Sequence, residues 1–190
     1  MSLVKRAEAQ PKAEVAMMLF LLSETVFFVM LGIAYVISRD APPWPAAKRP
    51  LDALTTGVYT VSLVASSGTW WLAERDARRN RRVAQRVWMG VTIALGAVFL
   101  IGQVHDYLVL MAEHITIAEA GLFGTTFYTL TGFHGLHVSA GLIMLVILFV
   151  LALTGREAWA PQRALTTVGY YWHYVDVVWI VIYSLVYLWR

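Results

Sequence analysis

The hydrophobic positions of this sequence gather into five long stretches, which shorter polar segments separate. A helix crosses the hydrocarbon core of a membrane with about 20 mostly apolar residues, and each stretch is long enough for that. Clustered prolines at Pro42, Pro43 and Pro45 end the first stretch, because proline cannot continue a helix. The pattern predicts five membrane-spanning helices, at about 15–37, 51–73, 87–105, 123–153 and 165–188.

The composition agrees with a membrane protein. Of the 190 residues, 59% are apolar and 14% are charged, and the mean hydropathy is +0.63. Soluble domains have about 25% charged residues, so this chain lacks the polar surface that water requires. We therefore expect an all-α integral membrane bundle of five transmembrane helices, in which residues 1–190 form a single domain.

The basic residues predict how the bundle is oriented. With the N-terminus in the cytoplasm, 11 Lys and Arg residues fall on the inner side and 4 on the outer side, as the positive-inside rule requires. Six of the inner ones follow the second stretch: Arg75, Arg78, Arg79, Arg81, Arg82 and Arg86. A cytoplasmic loop explains these arginines better than nucleic-acid binding. We expect a multi-pass protein of the bacterial inner (plasma) membrane, with its C-terminus in the periplasm.

Cofactor chemistry finds little support in the sequence. The chain has no cysteine, which excludes disulfides, thiolate metal sites, iron–sulfur clusters and haem attached through cysteines. His134 and His137 are three residues apart and share a helical face. Two imidazoles nevertheless leave most of a metal's coordination sphere empty. We predict no catalytic residue, no metal site and no cofactor bound by this chain.

Five ionisable side chains lie inside the predicted spans and away from their ends: Glu24, His134, His137, His173 and Asp176. A charged side chain at the centre of a bilayer costs roughly 2.5–3.5 kcal/mol or more. Such residues face other helices, a lipid headgroup or a pathway for a substrate, an ion or protons. We interpret the five as a buried polar network or as lipid contacts, while a position near a proton route stays open for Glu24.

Two segments of the chain resemble a known family. Residues 127–141, FYTLTGFHGLHVSAG, and residues 171–183, YWHYVDVVWIVIY, are similar to subunit III of cytochrome c oxidases, which are haem–copper oxidases. Weaker agreement extends the resemblance to about residues 15–189. The chain begins where the third helix of seven-helix members would be, so it resembles the short five-helix bacterial form. Residues 104–107, VHDY, depart from the family pattern.

The resemblance implies a helper role in an enzyme complex. A catalytic subunit I would hold the haems and copper, reduce oxygen to water and pump protons, with subunit II as a further partner. This chain would be non-catalytic, and would stabilise subunit I, its phospholipids and its proton uptake. Glu24 would be the family's membrane-embedded carboxylate. The family's polar positions in the last two helices would be His134, His137, His173 and Asp176.

Three alternatives remain at this point. The chain could be subunit III of a quinol oxidase, or the related accessory protein of nitric oxide reductases. A small transporter or proton channel would use Glu24, His134 and Asp176 as a relay. The sequence shows no inverted repeat and no matching pair of broken helices, which many transporters have, so this alternative is the weakest.

Overall fold

Five α-helices make up most of the chain in its computed structural model, which describes residues 10–38, 52–117, 121–155 and 162–189. They are α1 (Gln10–Ser38), α2 (Ala53–Arg78), α3 (Arg82–Ala112), α4 (Gly121–Leu153) and α5 (Gln162–Tyr183). A short π-helix, Ser184–Leu188, continues α5. These described residues contain no β-strand. The predicted all-α class is therefore confirmed.

Four of the helices are long and apolar enough to cross a membrane. These are α1, α3, α4 and α5 with its π-helical extension. The helix α2 has 26 residues but is more polar, because serine and threonine recur along it. Several of these hydroxyl groups, such as those of Thr56 and Ser66, are buried against other helices. A crossing by α2 remains a prediction.

Two connections predicted as loops are largely helical. The helix α3 runs on to Ala112, so part of the connection expected between the spans at 87–105 and 123–153 is helix. Likewise α2 and α3 extend towards each other and leave a turn at Arg79–Arg81, where Asn80 has a φ of 59°. Hydropathy marks the thickness of the membrane, whereas helices can continue beyond it. The proline-rich segment and Arg156 lie outside the described residues.

The helix α5 lies at the centre of the packing, since it contacts α1, α2 and α4. The indole of Trp172 is fully buried between Gly96 of α3 and Gly141 of α4. A Cβ atom added at these glycines would lie 2.9 Å and 2.7 Å from the ring. The glycines therefore make room for Trp172, and this contact fixes the position of the next residue, His173. That the whole chain forms one domain stays a prediction.

Candidate functional site

Glu24 at the middle of α1 contacts His137 of α4. The imidazole Nε2 lies 3.1 Å from Glu24 Oε2, and Nδ1 lies 2.7 Å from the main-chain oxygen of Phe133. A carbonyl oxygen can only accept, so Nδ1 carries a hydrogen. One proton then lies between Nε2 and Oε2, in an ion pair or in a neutral pair. The two groups have no net charge in either form, which lowers the cost of placing them in a membrane.

Aromatic side chains surround this pair. The Tyr171 hydroxyl donates to the main-chain oxygen of His137 over 3.0 Å, and its ring stacks on the imidazole at 6.4 Å. Phe28 approaches the imidazole edge-on at 5.1 Å. The side chains of Glu24 and His137 keep 19% and 15% of their surface exposed. The pair is therefore largely enclosed but still reaches the outer surface of the bundle.

A second polar group joins α5 to α2 through Ser67. The Ser67 hydroxyl donates to Asp176 Oδ2 and lies 2.9 Å from His173 Nδ1. His173 and Asp176, both expected in a buried polar network or at lipid contacts, are thus bridged by a side chain from another helix. The sequence did not single out Ser67, because small residues such as serine in a membrane helix also indicate close helix packing.

His134 does not join either group. Its ring is fully buried, stacks on Trp179 at 4.8 Å and meets the edge of Phe99 at 5.8 Å. Neither ring nitrogen has a hydrogen-bond partner among the described residues. His134 therefore faces α3 and α5, whereas His137 faces α1. In the described part of the chain, no group of three or more His, Asp or Glu residues could hold a metal.

The segment that departs from the family pattern ties three helices together. Asp106 accepts a hydrogen bond from Thr56 of α2 over 2.7 Å. On the same end of α3, Tyr107 and Gln103 contact Thr131 of α4 at 2.8 Å and 2.7 Å, through its hydroxyl and its main-chain oxygen. These contacts assign Asp106 and Tyr107 of this segment a role in helix packing.

A groove of about 550 Å³ lies between α1 and α5. Its walls are almost entirely apolar and include Phe28, Gly32 and Val36 of α1, with Val178 of α5 and Leu185 of the π-helix that continues it. The groove is open to the surface of the bundle and is not an enclosed cavity. A hydrocarbon chain matches such walls.

Comparison with known proteins identifies the family. The sequence matches cytochrome c oxidase subunit III over residues 7–190. It is 38% identical to a cytochrome c oxidase subunit 3 of Synechocystis over 174 residues, which are 90% of this chain and 72% of the relative. It is 36% identical to a probable cytochrome c oxidase subunit 3 of Mycobacterium tuberculosis over 180 residues, 93% of this chain and 87% of the relative.

A third relative gives the same result. The cytochrome c oxidase subunit 3 of Corynebacterium diphtheriae is 34% identical over 177 residues, which are 91% of this chain and 86% of that protein. The predicted resemblance is confirmed, and the three alternatives are not needed to explain the sequence. The chain therefore belongs to the cytochrome c oxidase subunit III family and is part of a haem–copper oxidase complex.

Proposed function

We propose that this chain is a non-catalytic subunit that stabilises the catalytic subunit of its oxidase, together with the surrounding lipids. The observation that carries the proposal is the pairing of Glu24 with His137 across α1 and α4. Each of these ionisable groups has a partner within the chain. This arrangement suits a structural contact between helices better than a relay that passes protons to another site.

The expected partners are the catalytic subunit I, which would hold the haems and copper, and subunit II. The subunit III family does not itself bind haem. Within the described residues, the buried His134 is enclosed by Phe99 and Trp179, which leaves no room for a macrocycle beside it. The chemistry of oxygen reduction would therefore take place in the partner subunits.

Bound phospholipid is the second part of the proposal. The groove between α1 and α5 has apolar walls and about 550 Å³ of space, which suits an acyl chain. Phe28 lines this groove and also contacts the imidazole of His137. A lipid in the groove would therefore support the wall that encloses the polar pair.

The orientation in the membrane is a further part of the proposal, and it rests on a crossing by α2 and on the basic residues. The helix α2 packs along α3, with Ser62 close to Leu95 and Thr69 close to Thr92, so it runs beside a spanning helix over several turns. A crossing α2 gives five spans, which places the two termini on opposite sides of the plasma membrane. The arginine-rich turn between α2 and α3 then faces the cytoplasm.

The decisive experiment compares the purified oxidase with and without this chain. We expect haem-bearing subunits to copurify with the chain, and the complex that lacks it to start at nearly the parental rate of oxygen uptake. Its activity should then decline within fewer turnovers. Purification of the chain without any haem-bearing subunit would contradict the proposal, and so would a complete loss of oxygen uptake from the first turnover.

A further inference from the structure

One surface of the bundle combines apolar side chains with a polar group near the middle of the membrane. We call it the α2–α5 face, and it consists of Val64, Gly68, Trp71, His173 and Ile180. Val64, Trp71 and Ile180 are exposed by 43%, 54% and 45%. At Gly68, an added Cβ would have no described atom within 4 Å apart from its own stretch of helix. The face is therefore open along both helices.

His173 is the polar group on this face. Ser67 donates to Asp176, so the Ser67 oxygen is left to accept from the His173 Nδ1–H group. In the neutral imidazole, Nε2 then has a free lone pair, and no described residue donates to it. The side chain is only partly buried. Asp176, Ser67 and His173 thus form a hydrogen-bonded chain, and this chain ends at the acceptor atom Nε2 of His173 on the outer surface of the bundle.

Lipid cannot satisfy this acceptor. His173 lies near the middle of the apolar helix Gln162–Leu188, where hydrocarbon tails offer no hydrogen-bond donor. Polar side chains at this depth face protein or a water-filled cavity. The small residue Gly68 beside it would also let another helix backbone approach closely. Both features favour a protein partner over lipid.

We infer that a transmembrane helix of the catalytic subunit covers the α2–α5 face and donates a hydrogen bond to His173 Nε2. The inference rests on the proposed function, since it requires a catalytic subunit beside this chain. It adds which surface makes the contact, and the chemistry of the partner: an apolar helix with one donor side chain at the depth of His173.

Photo-cross-linking in the intact oxidase tests the surface. A photoreactive phenylalanine analogue would replace Val64 on the face, or Ile143 of α4 as the matched control. Ile143 is 61% exposed. It lies two residues from Gly141, which packs on Trp172, and Val64 lies two residues from Ser66, which bonds to Trp172, so the two positions have a similar depth. We expect Val64 to give a covalent adduct with the haem-bearing subunit, identified by mass spectrometry, and Ile143 to give none.

Other adducts would overturn the inference. An adduct of Val64 with a second copy of this chain would assign the face to self-association. An adduct with the catalytic subunit from Ile143 alone would place the contact on α4, while leaving the proposed function intact. If no haem-bearing subunit copurifies with the chain, the proposed function itself fails, so the two failures are distinguishable.

Substitution of His173 tests the hydrogen bond. His173→Phe keeps a ring but removes both nitrogens, whereas His173→Gln keeps an acceptor of similar reach. We expect His173→Phe to lower retention of the chain in the complex by about tenfold, as the loss of one hydrogen bond between membrane helices implies. His173→Gln should retain most of it. Equal retention of both variants and the parent would contradict a donor at Nε2, and the helical content of each isolated chain controls for misfolding.

Discussion

Trp172 of α5 donates a hydrogen bond from Nε1 to the hydroxyl of Ser66 on α2, across 2.9 Å. The same indole fills the space beside Gly96 and Gly141, so one side chain holds α2, α3, α4 and α5 together. The indole N–H group makes the hydrogen bond, and the apolar carbon atoms of the ring make the packing contacts. The residues next to it, Tyr171 and His173, are thereby directed to opposite sides, towards the Glu24–His137 pair and towards Ser67.

The first prediction concerns Gly141. In Gly141→Ala the new Cβ would lie 2.7 Å from the Trp172 ring, so we expect a loss of about 1–3 kcal/mol in the free energy of unfolding. Gly68→Ala is the control, because no described atom outside its own stretch of helix lies within 4 Å of its Cβ position. Denaturant unfolding of the detergent-solubilised chain measures both. Equal stability of the two variants would contradict the close packing at Trp172.

The second prediction concerns Glu24. Glu24→Gln keeps a hydrogen-bonding group next to His137 Nε2 and should leave the initial oxygen-uptake rate of the complex nearly unchanged. Glu24→Ala leaves the imidazole without this partner, which costs about 1–3 kcal/mol for a buried group, so the active lifetime should be shorter. Oxygen uptake over many turnovers measures the difference. If Glu24→Gln alone abolished proton pumping from the first turnover, Glu24 would be a proton carrier.

The third prediction concerns His134. Its ring is buried against Trp179 and Phe99, and no described residue bonds to either nitrogen. Replacement by an apolar group of similar shape removes two unsatisfied polar atoms, so His134→Phe should leave the free energy of unfolding unchanged or raise it by about 1 kcal/mol. His134→Ala should lower it by about 3 kcal/mol, because it leaves a void. A marked loss of stability in His134→Phe would reveal a hydrogen bond to the imidazole.

The fourth prediction concerns Ser67. Ser67→Ala removes the donor to Asp176, whose Oδ1 already has no partner among the described residues. We expect a loss of about 1–3 kcal/mol in the free energy of unfolding of the isolated chain. Ser23→Ala is the matched control, because Ser23 is exposed and its hydroxyl donates only to Phe20 of its own helix, over 2.7 Å. Similar effects in the two variants would argue against the bridge between α2 and α5.

The fifth prediction concerns topology. A reporter that is active only in the periplasm, fused after Arg190, should be active, and one inserted next to Asn80 should be inactive. The basis is the distribution of the basic residues and a crossing α2. If α2 did not cross, the remaining four spans would place both termini on one side. If the reporter were inactive after Arg190 and active next to Asn80, the orientation would be opposite to the predicted one.

Hydropathy predicted the position of each helix because membrane thickness sets the length of an apolar stretch. The ends of α2 and α3 were missed, because the charged residues at 74–78 and the polar residues His105 and Asp106 ended the predicted spans, although both helices continue. The spacing of His134 and His137 put them on one face. The spacing did not reveal that different helices pack against α4 at these two positions. As a result, His134 contacts Trp179 of α5, whereas His137 contacts Glu24 of α1.

The bridging role of Ser67 could not be read from the sequence either. A serine in a membrane helix can bond to its own backbone, as Ser62 and Ser66 do, or to another helix. Only the packing of α2 against α5 decides between these. The family was predicted correctly from the sequence, because the motifs at residues 127–141 and 171–183 are long and specific.

The packing of α1 has a consequence for biosynthesis. This helix is made before α4 and α5, on which it mainly packs, and Glu24 precedes its partner His137 by 113 residues. At a translation rate of about 5–20 residues per second, Glu24 waits roughly 6–23 s for that partner. During this time the carboxyl group of α1 has no imidazole to pair with. The helix α1 therefore reaches its final contacts only after α4 and α5 have been synthesised.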